Sequence, residues 1–516
     1  MTIDRRTFIT ITGLGAAGAL LARQTPQTPS AAPFELEEIT LGELQEGLRS
    51  GRFTSRSLTE AYLARIDAID KRGAAINALI ELNPDALAIA AEMDNVGRAS
   101  ARPLHGIPVL IKDNIDTADR MHTSAGSLAL ADSIASRDSA VARKLREAGA
   151  VIIGKTNLSE WANFRSSHST SGWSGRGGQT KNPYVLDRNP CGSSSGTGAA
   201  IAANLAAVGV GTETDGSVVC PSSACGLVGI KPTLGLISGA GIVPIAHSQD
   251  TAGPMCRTVS DAAILLGVLS EKAQDYTKSL DANGLRGARI GVARKFFGIT
   301  DASDAIMRDA IDVIKQLGAT IIDPADMATS GKYDETEQEV LLYEFKTDIN
   351  KYLSGLGLNV KTRTLADLIK FNDLNRDREM PYFGQELFEK AEKKGPLTDE
   401  KYRKALARNH RMSRAEGIDA VLKKHNLDAI IAPTGGPVWP TDLINGDHYT
   451  GGYSTPSAVA GYPHITVPAG QAFALPVGLS FFAGELSEPA LIKFAYAFEQ
   501  ATKARKKPAF LPTVRL

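Results

Sequence analysis

An amphipathic, helix-length run that closes on a glycine and opens at once into a short, wholly apolar strand occurs twice in this chain. That unit limits the folds open to it. Residues 138–148 end at Gly149 ahead of the apolar stretch 150–153, and residues 303–317 end at Gly318 ahead of 319–322. Glycine suits the left-handed residue that stops a helix. A strand apolar at every position, rather than at every second one, has both faces buried. The stretch 108–111 and, apart from Asp428, the stretch 427–432 read the same way. Helices alternating with such strands predict an α/β fold: one large, mixed, mostly parallel sheet covered by helices on both faces.

The flanking segments fit one large domain. Thr40 and Glu43 have the spacing of a capping box, with Leu41, Leu44 and Leu48 on one face and Gly51 as the stop. Leu58, Tyr62, Ile66 and Ile69 make a second amphipathic stripe, and residues 330–410, charged and helical in character, suit a cap or insertion. No linker divides residues 34–516. Residues 1–33 read differently: Arg5 and Arg6 precede an apolar stretch, 9–22, and a Pro-rich polar one, 23–33. This resembles a twin-arginine export signal with its linker, and predicts a periplasmic location. The apolar stretch is shorter than the ~20 residues of a membrane span, so stable membrane insertion is not expected. Lys+Arg and Asp+Glu both number 57, which leaves no basic excess for a nucleic-acid partner.

Four cysteines, Cys191, Cys220, Cys225 and Cys256, lack paired zinc spacing and read as buried free thiols, with a Cys220–Cys225 bond left open. Two of them flank the small-residue centre of the chain. Residues 191–198 run Cys-Gly-Ser-Ser-Ser-Gly-Thr-Gly, and residues 211–217 run Gly-Thr-Glu-Thr-Asp-Gly-Ser. Gly-rich turns allow close backbone approach and can aim successive N–H groups at an anion. The string from Gly192 to Gly196 also satisfies the G-x-S-x-G nucleophile elbow of serine esterases, with Ser194 as nucleophile. That elbow needs a strand immediately before it, and Pro183 and Pro190 stand there instead.

Several motifs in fixed order carry a resemblance. Gly106-Ile107-Pro108 precedes Lys112-Asp113-Asn114, and Gly192-Ser193-Ser194 precedes Gly216-Ser217. Cys225-Gly226-Leu227-Val228-Gly229-Ile230-Lys231-Pro232 and Asp250-Thr251-Ala252-Gly253-Pro254-Met255 follow, with Ala460-Gly461-Tyr462-Pro463 near the C-terminus. In these elements the chain resembles the amidase-signature family. The resemblance implies a serine hydrolase of carboxamide bonds with Ser217 as nucleophile, Ser193 as proton relay following a cis peptide bond, and Lys112 as base. It places an oxyanion hole on the N–H groups of Thr214, Asp215, Gly216 and Ser217, and it calls for no cofactor and no metal. The chemistry agrees with the residue types. A serine hydroxyl needs an adjacent base, and lysine serves as one only when burial makes it neutral. The eight histidines form no triad or metal spacing, although His105, His122 and His168 stand near the motifs in sequence.

Asp215 and Val219 replace residues common in the family. With Ser159-Glu160-Trp161-Ala162-Asn163-Phe164 and Ser171-Gly172-Trp173-Ser174, they resemble the peptide-amidase branch, which removes the C-terminal amide of peptides. The expected substrate is a small amide or short peptide amide, with Trp161 and Trp173 either lining its pocket or packing the core. Other readings are a broad aryl or fatty acylamidase, a tRNA amidotransferase subunit, and a binding protein on the same fold without catalysis. Oligomeric state is not encoded legibly.

Overall fold

The computed structural model describes residues 34–97 and 100–514. The expected export segment, 1–33, lies outside the described residues. Residues 38–516 form one compact unit. At its start, α1 (Leu41–Ser50) opens with the capping box: Glu43 N–H donates to Thr40 Oγ1 at 3.3 Å, and Thr40 N–H to Glu43 Oε2 at 2.8 Å. Gly51 ends the helix at φ 81°. The second stripe forms α2 (Ser55–Arg65), whose last turns widen into a π-helix over Ile66–Lys71.

Eleven strands form one sheet: β1 (Leu79–Leu82), β2 (Pro108–Lys112), β3 (Val151–Thr156), β4 (Val208–Glu213), β5 (Val228–Lys231), β6 (Thr251–Cys256), β7 (Arg289–Val292), β8 (Thr320–Ile322), β9 (Ala429–Pro433), β10 (His464–Ala472) and β11 (Leu475–Phe482). Their order is β1-β3-β2-β4-β6-β5-β10-β11-β9-β7-β8. The sheet is mixed and flanked by helices. Parallel pairing occupies two blocks, β3-β2-β4 and β9-β7-β8. In each block a helix links strands, as parallel strands require. α3 (Ala140–Glu147) leads into β3, α4 (Ser195–Ala202) into β4, and α7 (Asp301–Gln316) into β8; α5 (Val219–Ala224) and α6 (Val259–Leu269) follow β4 and β6.

Between the blocks the pairing is antiparallel, from β4 through β6, β5 and β10 to β11. The β10–β11 hairpin turns on Phe473 and Ala474, at φ 55° and 66°. Two-residue hairpins require positive φ, but these residues carry no Asn-Gly signal, so the sequence pattern hides the turn. β3 also outruns its expected end at residue 153. Its last residues include Lys155, buried because Nζ donates to the Ile115 carbonyl at 2.6 Å and to Thr123 Oγ1 at 3.0 Å.

Residues 330–410 are helical as expected, and α8 (Asp334–Ser354) is their longest element. Phe345 and Phe388 of this region pack with Trp161 and Phe164, which follow β3. The wholly buried α4 begins at Ser195, inside the small-residue string of 191–198. A Cβ on Gly198 would stand 2.9 Å from the Pro221 carbonyl oxygen, so this glycine lets α4 and α5 pack backbone to backbone. Gly198→Ala is expected to lower stability by about 1–3 kcal/mol, measured by denaturant unfolding.

Candidate active site

Lys112 is the last residue of β2, which runs parallel to β4 with Ile111 opposite Val210. The register brings Lys112 beside Thr212. Its Nζ lies 2.7 Å from Ser193 Oγ, 2.9 Å from Thr212 Oγ1 and 3.3 Å from the Thr212 carbonyl. Asn114 Nδ2 donates to the same Thr212 hydroxyl at 2.9 Å. Lys112 is 0% exposed. Burial pulls its amine down from 10.5 to about 7, and the fields of Asp250 and Glu213 only partly oppose this.

Ser193 sits in the turn before α4, also fully buried. Its carbonyl accepts Ser159 N–H at 3.1 Å, and the Gly192–Ser193 peptide bond is cis. Ser217, 7% exposed, lies in the turn between β4 and α5. Ser194 joins the two turns: its N–H donates to the Ser217 carbonyl at 3.2 Å. The Ser194 hydroxyl donates to the Thr212 carbonyl at 3.0 Å and accepts Thr212 N–H at 3.2 Å. It is occupied with backbone, and no strand of the sheet immediately precedes it. The nucleophile-elbow reading therefore lacks both its strand and a free hydroxyl.

The turn from Thr214 to Ser217 is fixed at its edges and open in its middle. Glu213 Oε2 accepts the N–H groups of Val218 and Val219 at 2.8 and 3.1 Å. Thr214 Oγ1 donates to Asp250 Oδ1 at 2.6 Å, while Asp250 Oδ2 accepts N–H from Ile245 and Ala246. Burial pushes the Asp250 carboxyl up to about 7. Gly216 takes φ 77°, a conformation that favours glycine. Among the described residues, no hydrogen bond takes up the N–H of Thr214, Asp215, Gly216 or Ser217. Free N–H groups on a pinned turn are suited to an oxyanion.

A cavity of about 840 Å³ reaches this region through Asn114, Thr212, Glu213, Thr214 and Asp250. Trp161 and Trp173 do not line it. Trp161 lies in the core, edge-on to Phe388 at 5.8 Å, and Trp173 packs edge-on against Phe383 at 5.2 Å. Both rings are buried against aromatic neighbours. Ala162, beside Trp161, does line the cavity, within a run of left-handed residues at 161–163.

The expected free thiols need correction. Cys191 is bonded to Cys220, and Cys225 and Cys256 are buried and free. The fold sets the turn before α4 against α5, a proximity that spacing along the chain does not carry. His122 is held by Glu81 at 2.8 Å, and neither it, His105 nor His168 lines the cavity. His247 does. It forms, with Glu344 and Asp348, a group of metal-ligand type among the described residues, but Nδ1 is already 2.8 Å from Asp348. Glu344 meanwhile accepts from Tyr402 at 2.7 Å and from Ser248 N–H at 2.9 Å. Thr212, Asn114, Glu213 and Asp250 escaped the sequence reading of the site. The adjacency of Asn114 to Lys112 and of Glu213 to the 214–217 turn, and the place of Asp250 at the head of a family motif, were their sequence signals.

The family model for amidases matches residues 57–492. A probable amidase of Arabidopsis thaliana is 41% identical over 506 residues, covering 93% of each chain. The native peptide amidase of Stenotrophomonas maltophilia superimposes with a TM-score of 0.87 at 47% identity, over 93% of this chain and 100% of that one. A peptide amidase solved with the competitive inhibitor chymostatin gives 0.88 at 47% identity, over 92% and 100%.

Because the folded-state amine of Lys112 titrates near 7 and an unfolded lysine near 10.4, protonation favours the unfolded chain between these values. The destabilisation is complete below pH 7 and disappears as pH rises through the unfolded value. Lys112→Met is therefore expected to keep or raise the midpoint of thermal unfolding at pH 7. Its advantage over the native chain should shrink towards pH 10, as followed by calorimetry.

Proposed function

The chain belongs to the amidase family, hydrolases of amide C–N bonds, and on that premise we propose that it removes the C-terminal amide of short peptides or amino-acid amides through an acyl-enzyme on Ser217. The observation that carries this reading is the buried Lys112 amine, lowered to about 7 and 2.7 Å from the Ser193 hydroxyl. A neutral amine has two N–H donors and one lone pair. The Thr212 carbonyl and hydroxyl take the donors, which leaves the lone pair for the Ser193 proton.

In the proposed reaction Ser217 Oγ attacks the substrate carbonyl. Its proton passes to Ser193 as the Ser193 proton passes to Lys112. The oxyanion is held by the N–H groups of Thr214, Asp215, Gly216 and Ser217. The tetrahedral intermediate collapses as the relay, run in reverse, protonates the leaving nitrogen and releases ammonia. Water then attacks the acyl-enzyme and yields it a proton by the same route, and the carboxylate product departs. The 47% identity to peptide amidases supports the substrate class, as does the resemblance of the segments around Asp215 and residues 159–174. We also retain the reading of residues 1–33 as an export signal. Replacing Arg5 and Arg6 with lysine should leave the protein in the cytoplasm by cell fractionation.

Ammonia release from a panel of N-blocked amino-acid amides, peptide amides and anilides tests the substrate class. Peptide amides should turn over fastest; faster anilide turnover would favour a broad acylamidase, and no turnover would refute the proposal. Ser217→Ala and Lys112→Ala should each lower kcat/KM by at least about 10³-fold. Since the base must be neutral, kcat/KM of the native enzyme should rise with pH along an acid limb centred near 7.

A further inference from the structure

The disulfide occupies a position that the chemistry makes sensitive. Cys191 lies two residues before Ser193, and Cys220 three residues after Ser217. The two serines sit outside the sheet ladder, each in a turn leading into a different helix. The Ser194 N–H to Ser217 carbonyl bond at 3.2 Å also joins these turns. Each half-cystine is itself fixed to its own turn. Cys191 N–H donates to Asn189 Oδ1 at 2.8 Å, and the Cys191 carbonyl accepts Ser195 Oγ at 2.6 Å. Cys220 N–H donates to the Gly216 carbonyl at 2.8 Å, closing the turn that carries Ser217. The covalent bond therefore links one rigid serine turn to the other.

A hydroxyl-to-hydroxyl relay tolerates little displacement. Hydrogen bonds weaken steeply with distance and angle, and misplacement by about 1 Å can cost 10²-fold in rate. Cys220 is partly exposed and borders a small crevice with Trp439, Tyr449 and Thr450. Cys225 and Cys256 are buried elsewhere.

We infer that Cys191–Cys220 is a positioning pair that keeps Ser193 and Ser217 in relay register, so that amide turnover depends on the bond being oxidised. The inference rests on the proposed Ser217–Ser193–Lys112 mechanism. It ties full activity to an oxidising compartment, where such bonds persist. Reduction adds two electrons and two protons to the S–S bond and yields two thiols; dithiothreitol supplies both and closes to its cyclic disulfide.

The test uses the full-length native protein, first shown to release ammonia in the oxidised state and to lose that activity in Ser217→Ala. Failure at that step would refute the mechanism itself, before the disulfide is touched. After dithiothreitol, thiols titrated under denaturing conditions should rise from the two free cysteines to four. In the reduced protein kcat should fall about 10- to 100-fold. KM and the midpoint of the acid limb should hold steady, far-UV circular dichroism should not change, and reoxidation should restore kcat. The Cys191→Ser/Cys220→Ser variant should show the low kcat and ignore the reductant; if it fails to fold, the reduced native protein carries the test. Full kcat in protein with four titrated thiols would overturn the inference. So would a loss of activity that merely tracks loss of the circular dichroism signal.

Discussion

Burying an amine with no carboxylate in contact disfavours its protonated form, and the surroundings of Lys112 show how that constraint is met. Lys155 and Lys231 are buried as deeply; Lys155 reaches the Ile115 carbonyl and one hydroxyl, that of Thr123, and Lys231 reaches the Ser457 carbonyl. Lys112 differs in having two hydroxyls within 2.9 Å. A hydroxyl can accept from an ammonium or donate to a neutral amine, so its hydrogen bond survives a change of protonation. These contacts keep the Lys112 amine hydrogen-bonded in either protonation state.

The sheet supplies the geometry. β2 and β4 run parallel, so their carboxyl ends, bearing Lys112 and Thr212, emerge side by side. Ligands of open α/β sheets commonly meet the protein at such ends. The turn after β4 then carries Ser217 back towards the turn before α4, and close packing at Gly198 lets the two helices that follow these turns approach. The carboxylates of Glu213 and Asp250 act on this geometry at one remove. They pin the 214–217 turn from both sides without touching the amine, and their fields offset only part of the burial that lowers its proton affinity.

The apolar core and the cavity share a border, with Val243 and Ile245 belonging to both. The aromatic cluster around Trp161, Phe345 and Phe388 anchors the helical region of 330–410 against the loop after β3. It contributes apolar burial, while the cavity wall nearer the amine is built from threonine, asparagine and carboxylates. Buried aromatic rings and pocket-lining ones look alike in sequence, because both need apolar area and only neighbours from distant segments tell them apart.

The sequence alone determined the alternation of helices with apolar strands, the helix caps at Thr40 and Gly51, the family motifs and the residues that carry them. Each is a local property, written in periodicity, in φ preference or in a contiguous string. The tertiary structure decided the antiparallel middle of the sheet, the Cys191–Cys220 bond, the burial of the two tryptophans, and the roles of Thr212, Glu213 and Asp250 around the amine. These depend on which distant segments become neighbours. Strand order and register set that proximity, whereas spacing along the chain records only the order in which the partners are made.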